Sequence, residues 1–142
     1  MTPFRTTRRV EFGDTDMAGI VHFSNYLRYM EAAETAFLRA RGMSVSWHED
    51  GLRVGFPRVS VACDFTKPAH FGDVLTIAVT LEKVGTKSLS YRFDFSRGDD
   101  AIAIGKLTSV YCREAPGHGL CSIEIPDALR AKLLSEAVTA DE

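Results

Sequence analysis

A chain of 142 residues, 45% of them hydrophobic, can bury one core without disulfides or metal, so a single domain over residues 1–142 is expected. Lys and Arg number 17 against 19 Asp and Glu, a formal net charge of -2, and the basic excess needed to bind a phosphate backbone is missing; nucleic acid is not an expected partner. The three cysteines (Cys63, Cys112, Cys121) form no CxxC pair, and neither a signal-like apolar run nor a membrane-length one occurs, so the expected location is cytoplasmic, away from membranes.

Residues 4–12 alternate, with Phe4, Thr6, Val10 and Phe12 on one face and Arg5, Thr7, Arg9 and Glu11 on the other, which predicts a half-buried strand with Arg8 as an exception. The period then changes. From Tyr26 to Ala40, Tyr26, Met30, Ala33, Phe37 and Ala40 share a stripe opposite Arg28, Glu31, Thr35 and Arg39, which predicts one long helix over about 25–41, stopped by Gly42. After a loop around "SWHEDG", strand-like runs follow at Val59–Phe65, Val74–Val84, Ser88–Ser96 and Ile102–Cys112, separated by "KPAHFGD", "GT" and "RGDD". The tail adds a short run, Leu120–Ile125, then Pro126 with Leu129, Leu133 and Leu134 at helical spacing. One strand, a helix and then successive strands make an α+β domain in which an antiparallel sheet of five or six strands packs on the helix.

Between the first strand and the helix stands "EFGDTDMAGIVHFSNY". Asp14 and Asp16 are turn formers on one reading, accepting local backbone N–H groups. On another, the unpaired N–H groups of the helix start polarise a carbonyl oxygen, and a carboxylate beside them attacks the carbonyl carbon or deprotonates a water that does.

"FGDTDMAGIVHFSNY" closely resembles the active-site segment of the 4-hydroxybenzoyl-CoA thioesterase-like hotdog family, and the resemblance extends through "KPAHFGDVLTI" and "IEIPDALRAKL". It implies a hotdog fold, an antiparallel sheet wrapped around one long central helix. It also implies hydrolysis of an acyl-CoA thioester, a homodimer or dimer of dimers with the site between subunits, and no cofactor. Asp16 takes the position of the family's catalytic Asp, Phe23 that of the residue whose backbone N–H polarises the thioester oxygen, and Ser24 is the expected N-cap. Gly19 then allows close approach between carboxylate and helix start, or is an ordinary loop glycine. His22 departs from the family, whose 4-hydroxybenzoyl branch has an aromatic residue there; it helps place water, or packs and pairs with backbone. A second branch uses a helix carboxylate, which makes Glu31 and Glu34 rivals of Asp16, although Glu31 lies on the polar stripe. For the CoA end the resemblance implies Lys87, with Ser88 beside it, although Gly85 and Thr86 stand where the 4-hydroxybenzoyl enzyme has arginines. Phe23, Trp47 and Phe56 are candidates to line an aryl pocket. His48, His70 and His118 have no metal-ligand spacing, so no metal site is expected. A hotdog dehydratase, drawing on His22 or His70, and a non-catalytic acyl-CoA-binding dimer are the alternatives.

Overall fold

The structure, a computed structural model, describes residues 3–136. Its elements are β1 (Phe4–Arg9), a 3-10 turn (Phe12–Asp14), α1 (Ser24–Arg39), β2 (Ser46–Glu49), β3 (Leu52–Gly55), β4 (Arg58–Phe65), β5 (Val74–Val84), β6 (Ser88–Arg97), β7 (Asp100–Val110), β8 (Cys112–Ala115), β9 (Gly119–Ser122) and α2 (Asp127–Leu134). The described residues thus hold two α-helices, the first of 16 residues.

A five-stranded antiparallel sheet runs in the order β1-β5-β6-β7-β4. Strict alternation turns Leu75, Ile77, Val79 and Leu81 of β5 and Leu89, Tyr91, Phe93 and Phe95 of β6 to one face, where they are buried. Against that face α1 lays Tyr26, Tyr29, Met30, Ala33, Phe37 and Leu38. Ring edges lock the layers: Phe37 meets Phe4 at 5.9 Å and Tyr91 at 5.5 Å, and Tyr26 meets Phe95 at 5.5 Å between centroids. A Cβ on Gly105 would stand 2.7 Å from Met30 Sδ, so glycine there gives α1 its room over β7. Arg8, the exception on β1, lies over the Tyr29 ring at 5.1 Å, a cation–π contact that lets a charge sit on the apolar face.

The structure departs from the sequence reading in three places. Phe12 is 76% exposed, because the ladder of β1 ends at Arg9 and the chain then turns through the 3-10 helix, leaving Phe12 edge-on to Phe71. The "SWHEDG" loop and the run after Val110 together form a second sheet, β2-β3-β8-β9, of four-residue strands. Ser24 opens α1 as its first helical residue, and Phe23 is the cap.

Two features of the main sheet position the site. Strand β4 is an edge, and Val59, Val61 and Phe65 on it are exposed. Because Arg9 pairs with Val74, the loop after β1 leaves from the start of β5, whereas the turn holding Lys87 lies past its end at Val84.

Candidate active site

Residues 15–21 fold into a miniature hairpin. Thr15 bridges Val21, the Asp16 N–H donates to the Ile20 carbonyl at 2.9 Å, and the Gly19 N–H donates to the Asp16 carbonyl at 2.9 Å. Gly19 sits at φ +80, the left-handed residue such a turn needs, and a Cβ there would meet nothing within 4 Å. Its glycine therefore answers to backbone conformation, not to close approach within the chain.

The two aspartates divide as their hydrogen bonds dictate. Asp14 is consumed by structure: its Oδ2 accepts the Tyr29 O–H at 2.8 Å and the Glu11 N–H at 3.0 Å, and its carbonyl accepts the His22 N–H and the Asn25 amide. Burial first, and then the bond to Asp14, push the Tyr29 phenol up, so it stays a donor. Asp16 is half-buried and its Oδ1 accepts only the Ala18 N–H at 2.9 Å; among the described residues Oδ2 has no partner. That is a carboxylate oriented by one backbone bond, with an oxygen left over.

At the helix start the Asn25 N–H donates to the His22 carbonyl and the Tyr26 N–H to the Phe23 carbonyl, while the Ser24 N–H reaches His22 Nδ1 at 3.3 Å. The Phe23 N–H donates to no acceptor among the described residues. His22 Nδ1 is also 2.8 Å from Ser24 Oγ, and the ring stacks on Phe23 at 4.5 Å. A backbone N–H can only donate, so Nδ1 carries the lone pair, and that nitrogen is spent on the helix start.

Asp16 and Phe23 line one cavity of about 440 Å³ with Ile20, Val21, Tyr26, Phe65 and Lys67. Its far wall is pinned to the hairpin: the Val21 N–H donates to the Ala69 carbonyl and Ile20 bridges His70. Asp73 braces that wall, accepting the His70 N–H at 2.8 Å and Arg97 Nη1 at 2.9 Å, and these bonds hold its carboxyl below the usual range. Beside the cavity, burial raises the Cys63 thiol to about 11, which leaves it protonated and a poor nucleophile.

Other sequence candidates lie elsewhere. Trp47 and Phe56 pack with Tyr111 behind β3, away from Asp16, and it is Tyr26 and Phe65 that bring aromatic rings to the cavity. Glu31 is exposed, 3.5 Å from Arg58, and Glu34 is buried against Arg58; neither reaches the Asp16 cavity. Lys87 and Ser88 stand at the opposite end of β5, an 11-residue strand, roughly 30 Å from the Asp16 end at ~3.3 Å per residue. The sequence reading missed Lys67 and Thr66, which only the return of the chain after β4 brings to the site. Among the described residues no three His, Cys, Asp or Glu side chains gather as metal ligands, and no helix is long and apolar enough to cross a membrane.

Residues 10–133 match the model of the Thioesterase-like superfamily. A 4-hydroxybenzoyl-CoA thioesterase from Pseudomonas sp. (strain CBS-3) is 38% identical over 126 residues, covering 84% of this chain and 89% of that protein. A 1,4-dihydroxy-2-naphthoyl-CoA hydrolase from Thermosynechococcus vestitus is 29% identical over 143 residues, covering 99% and 96%. Among solved structures, an aspartate-to-asparagine mutant of 4-hydroxybenzoyl-CoA thioesterase complexed with 4-hydroxybenzoyl-CoA superposes with a TM-score of 0.81 at 28% identity, covering 94% of this chain and 99% of that one. A gentisyl-coenzyme A thioesterase superposes with a TM-score of 0.74 at 27% identity, covering 92% and 99%.

Proposed function

The chain belongs to the thioesterase-like superfamily, and we propose that it hydrolyses the CoA thioester of an aryl or short-chain acyl group to the free acid and CoA. The observation that carries this reading is the pairing of a free Asp16 oxygen with an unpartnered Phe23 N–H on one cavity. The Phe23 N–H, at the positive end of α1, donates to the thioester oxygen and takes up the charge that develops there. Asp16 then acts in one of two ways. As nucleophile it adds to the carbonyl carbon and expels CoA thiolate, leaving an anhydride that water opens; as general base it takes a proton from the water that adds instead. Both use the same oxygen and need no metal or redox cofactor. Gly19 shapes the Asp16 turn, and His22, through Nδ1, steadies the helix start.

The fold on this reading is the hotdog arrangement, with α1 as its one long central helix, in a single domain. The working unit is a homodimer. An edge strand with exposed Val59, Val61 and Phe65 is a template for pairing, and a two-fold axis joins two β4 strands antiparallel. That pairing lays the Arg58 end of one copy, where Lys87 also lies, beside the Phe65 end of the other. Lys87 and Ser88 of each copy thereby approach the other's Asp16, as phosphate and pantetheine contacts for CoA. The three free thiols fit a reducing cytoplasm.

The test is thiol release from 4-hydroxybenzoyl-CoA and short-chain acyl-CoAs by the purified protein, with sedimentation of the same sample. Hydrolysis by a dimer is expected; an active, folded monomer at micromolar concentration overturns the shared site, and no hydrolysis of any ester overturns the reaction.

A further inference from the structure

The turn that carries Lys87, between β5 and β6, is held from behind by α2. On its β1 edge β5 has a neighbouring strand only as far as Val79, opposite Phe4, so on that edge no ladder among the described residues covers the end of β5. Arg130 covers it instead: Nη1 donates to the Val84 carbonyl at 3.2 Å and Nη2 to the Gly85 carbonyl at 3.0 Å. The next carbonyls are taken as well, that of Thr86 by the Ile125 N–H at 2.9 Å and that of Lys87 by the Tyr111 N–H at 2.7 Å, while the Gly85 N–H closes the hairpin on the Ser88 carbonyl at 2.8 Å. Every carbonyl from Val84 to Ser88 is thus spent on the fold. The N–H groups at the tip are not: those of Thr86 and Lys87 donate to no acceptor among the described residues, and both residues are exposed.

The stripe of α2 puts the guanidinium there. Leu133 and the preceding Ile125 are fully buried and Leu129 packs against the core, and Arg130 lies beside them, half-buried, its N–H donating to the Pro126 carbonyl at 2.9 Å. A planar fork of N–H groups fixes two carbonyls at once, which an ammonium on a flexible stem does not. Lys87 keeps its own charge unspent: among the described residues the lysines that form ion pairs are Lys67 and Lys106.

Resting on the thioesterase reading and its CoA contact at Lys87, we propose that Arg130 is the positioning residue for that contact: it fixes the carbonyl edge of the turn, so that the Thr86 and Lys87 N–H groups and the Lys87 ammonium stand together as one phosphate-binding unit. Successive turn N–H groups without a protein acceptor make a positive edge that suits an anion. They also supply what the side chains of Gly85 and Thr86 do not, since neither carries a charge. Arg130 touches neither the phosphate nor the thioester. Asp16 lies at the other end of β5, so the effect falls on binding, equally in the ground and transition states.

The experiment compares 4-hydroxybenzoyl-CoA, or a short-chain acyl-CoA if that turns over faster, with the pantetheine ester of the same acyl group, which has no phosphate. The proteins are the wild type, Arg130→Met, Arg130→Lys, Lys87→Ala and the Arg130→Met/Lys87→Ala double variant. The wild type should have the higher kcat/KM on the CoA ester. Arg130→Met keeps a stem to pack and loses the fork; it should lower the CoA-to-pantetheine ratio of kcat/KM by about tenfold, the scale of one hydrogen bond to a charged group, through KM and not kcat. Arg130→Lys should recover part of the ratio. Because Arg130 acts through the turn, the double variant should lose less than the product of the two single losses. A ratio unchanged in Arg130→Met, equal loss on both esters, or a double variant whose losses multiply overturns the assignment while leaving the thioesterase reading standing. A wild type that treats the two esters alike overturns the phosphate contact and the assignment with it, and failure to hydrolyse any of these esters overturns the thioesterase reading as well.

Discussion

Asp16 and Glu34 are two carboxylates of the α1 region, one before the helix starts and one in its middle, and they are held in opposite ways. Asp16 stands on a turn, keeps one backbone hydrogen bond and leaves an oxygen open to a cavity. Glu34 is fully buried, accepts one hydrogen bond from Arg58 Nε at 2.7 Å and lies 2.6 Å from Nη2 of the same guanidinium. The difference separates two tasks. A group that must attack or accept a proton needs an ionised oxygen at a wetted surface, whereas one that holds a cation in place needs rigidity and tolerates burial because the cation offsets part of its cost. The same contrast appears one level down, between Asp16 and Asp14, whose carboxylate is spent on Tyr29 and Glu11.

The comparison breaks most sharply at the helix start. Phe23→Pro deletes the N–H while the native φ of -54 suits proline, so the helix should persist. Turnover should fall by about 10²–10³-fold, the scale for losing one oxyanion donor, whereas Phe23→Leu, which keeps the N–H, should lose far less. Next comes the buried carboxylate. Glu34→Ala leaves Arg58 without its inner partner and should lower stability by about 3 kcal/mol, the low end for breaking a buried pair because Arg58 is partly exposed; chemical denaturation measures it. Asp14→Ala strands the Tyr29 hydroxyl and should cost about 2 kcal/mol by the same measurement.

The smallest effect sharpens the comparison through pH. The folded pKa of Asp73 is depressed, so its contribution is present above the ordinary aspartate range and is lost as pH falls through the depressed value. Asp73→Asn should therefore cost roughly 1 kcal/mol at neutral pH, a charge-assisted bond being exchanged for a neutral one, and the gap to wild type should close on acidification.

Much of this was legible in the sequence where periodicity and burial coincide. The run Val74–Val84 matches β5 at both ends, and its alternation shows in the burial of Leu75, Ile77, Val79 and Leu81. The second sheet was not legible, since its four-residue strands are too short for alternation to declare itself. Phe12 looked buried because a period of two does not reveal where a ladder ends. The aspartate loop was marked by the resemblance of "FGDTDMAGIVHFSNY" to a known family's segment, since its carboxylates alone read equally as turn formers, but nothing marked Arg58: a bulge shifts the register by one residue, and periodic reading has no term for it. Glu34 did carry a signal. It lies four residues after Met30 and three before Phe37, on the buried side of α1, where a carboxylate requires a cation.

The central claim is that Asp16 performs the chemistry, and Asp16→Asn tests it most directly, with turnover of 4-hydroxybenzoyl-CoA and affinity for the same ester measured on one preparation. The amide keeps the bond from the Ala18 N–H but neither attacks a thioester nor takes a proton from water, so kcat should fall by about a hundredfold or more while affinity and thermal stability stay close to wild type. Near-normal turnover in Asp16→Asn, with loss in Glu31→Gln, would contradict the account and move the chemistry to the helix carboxylate.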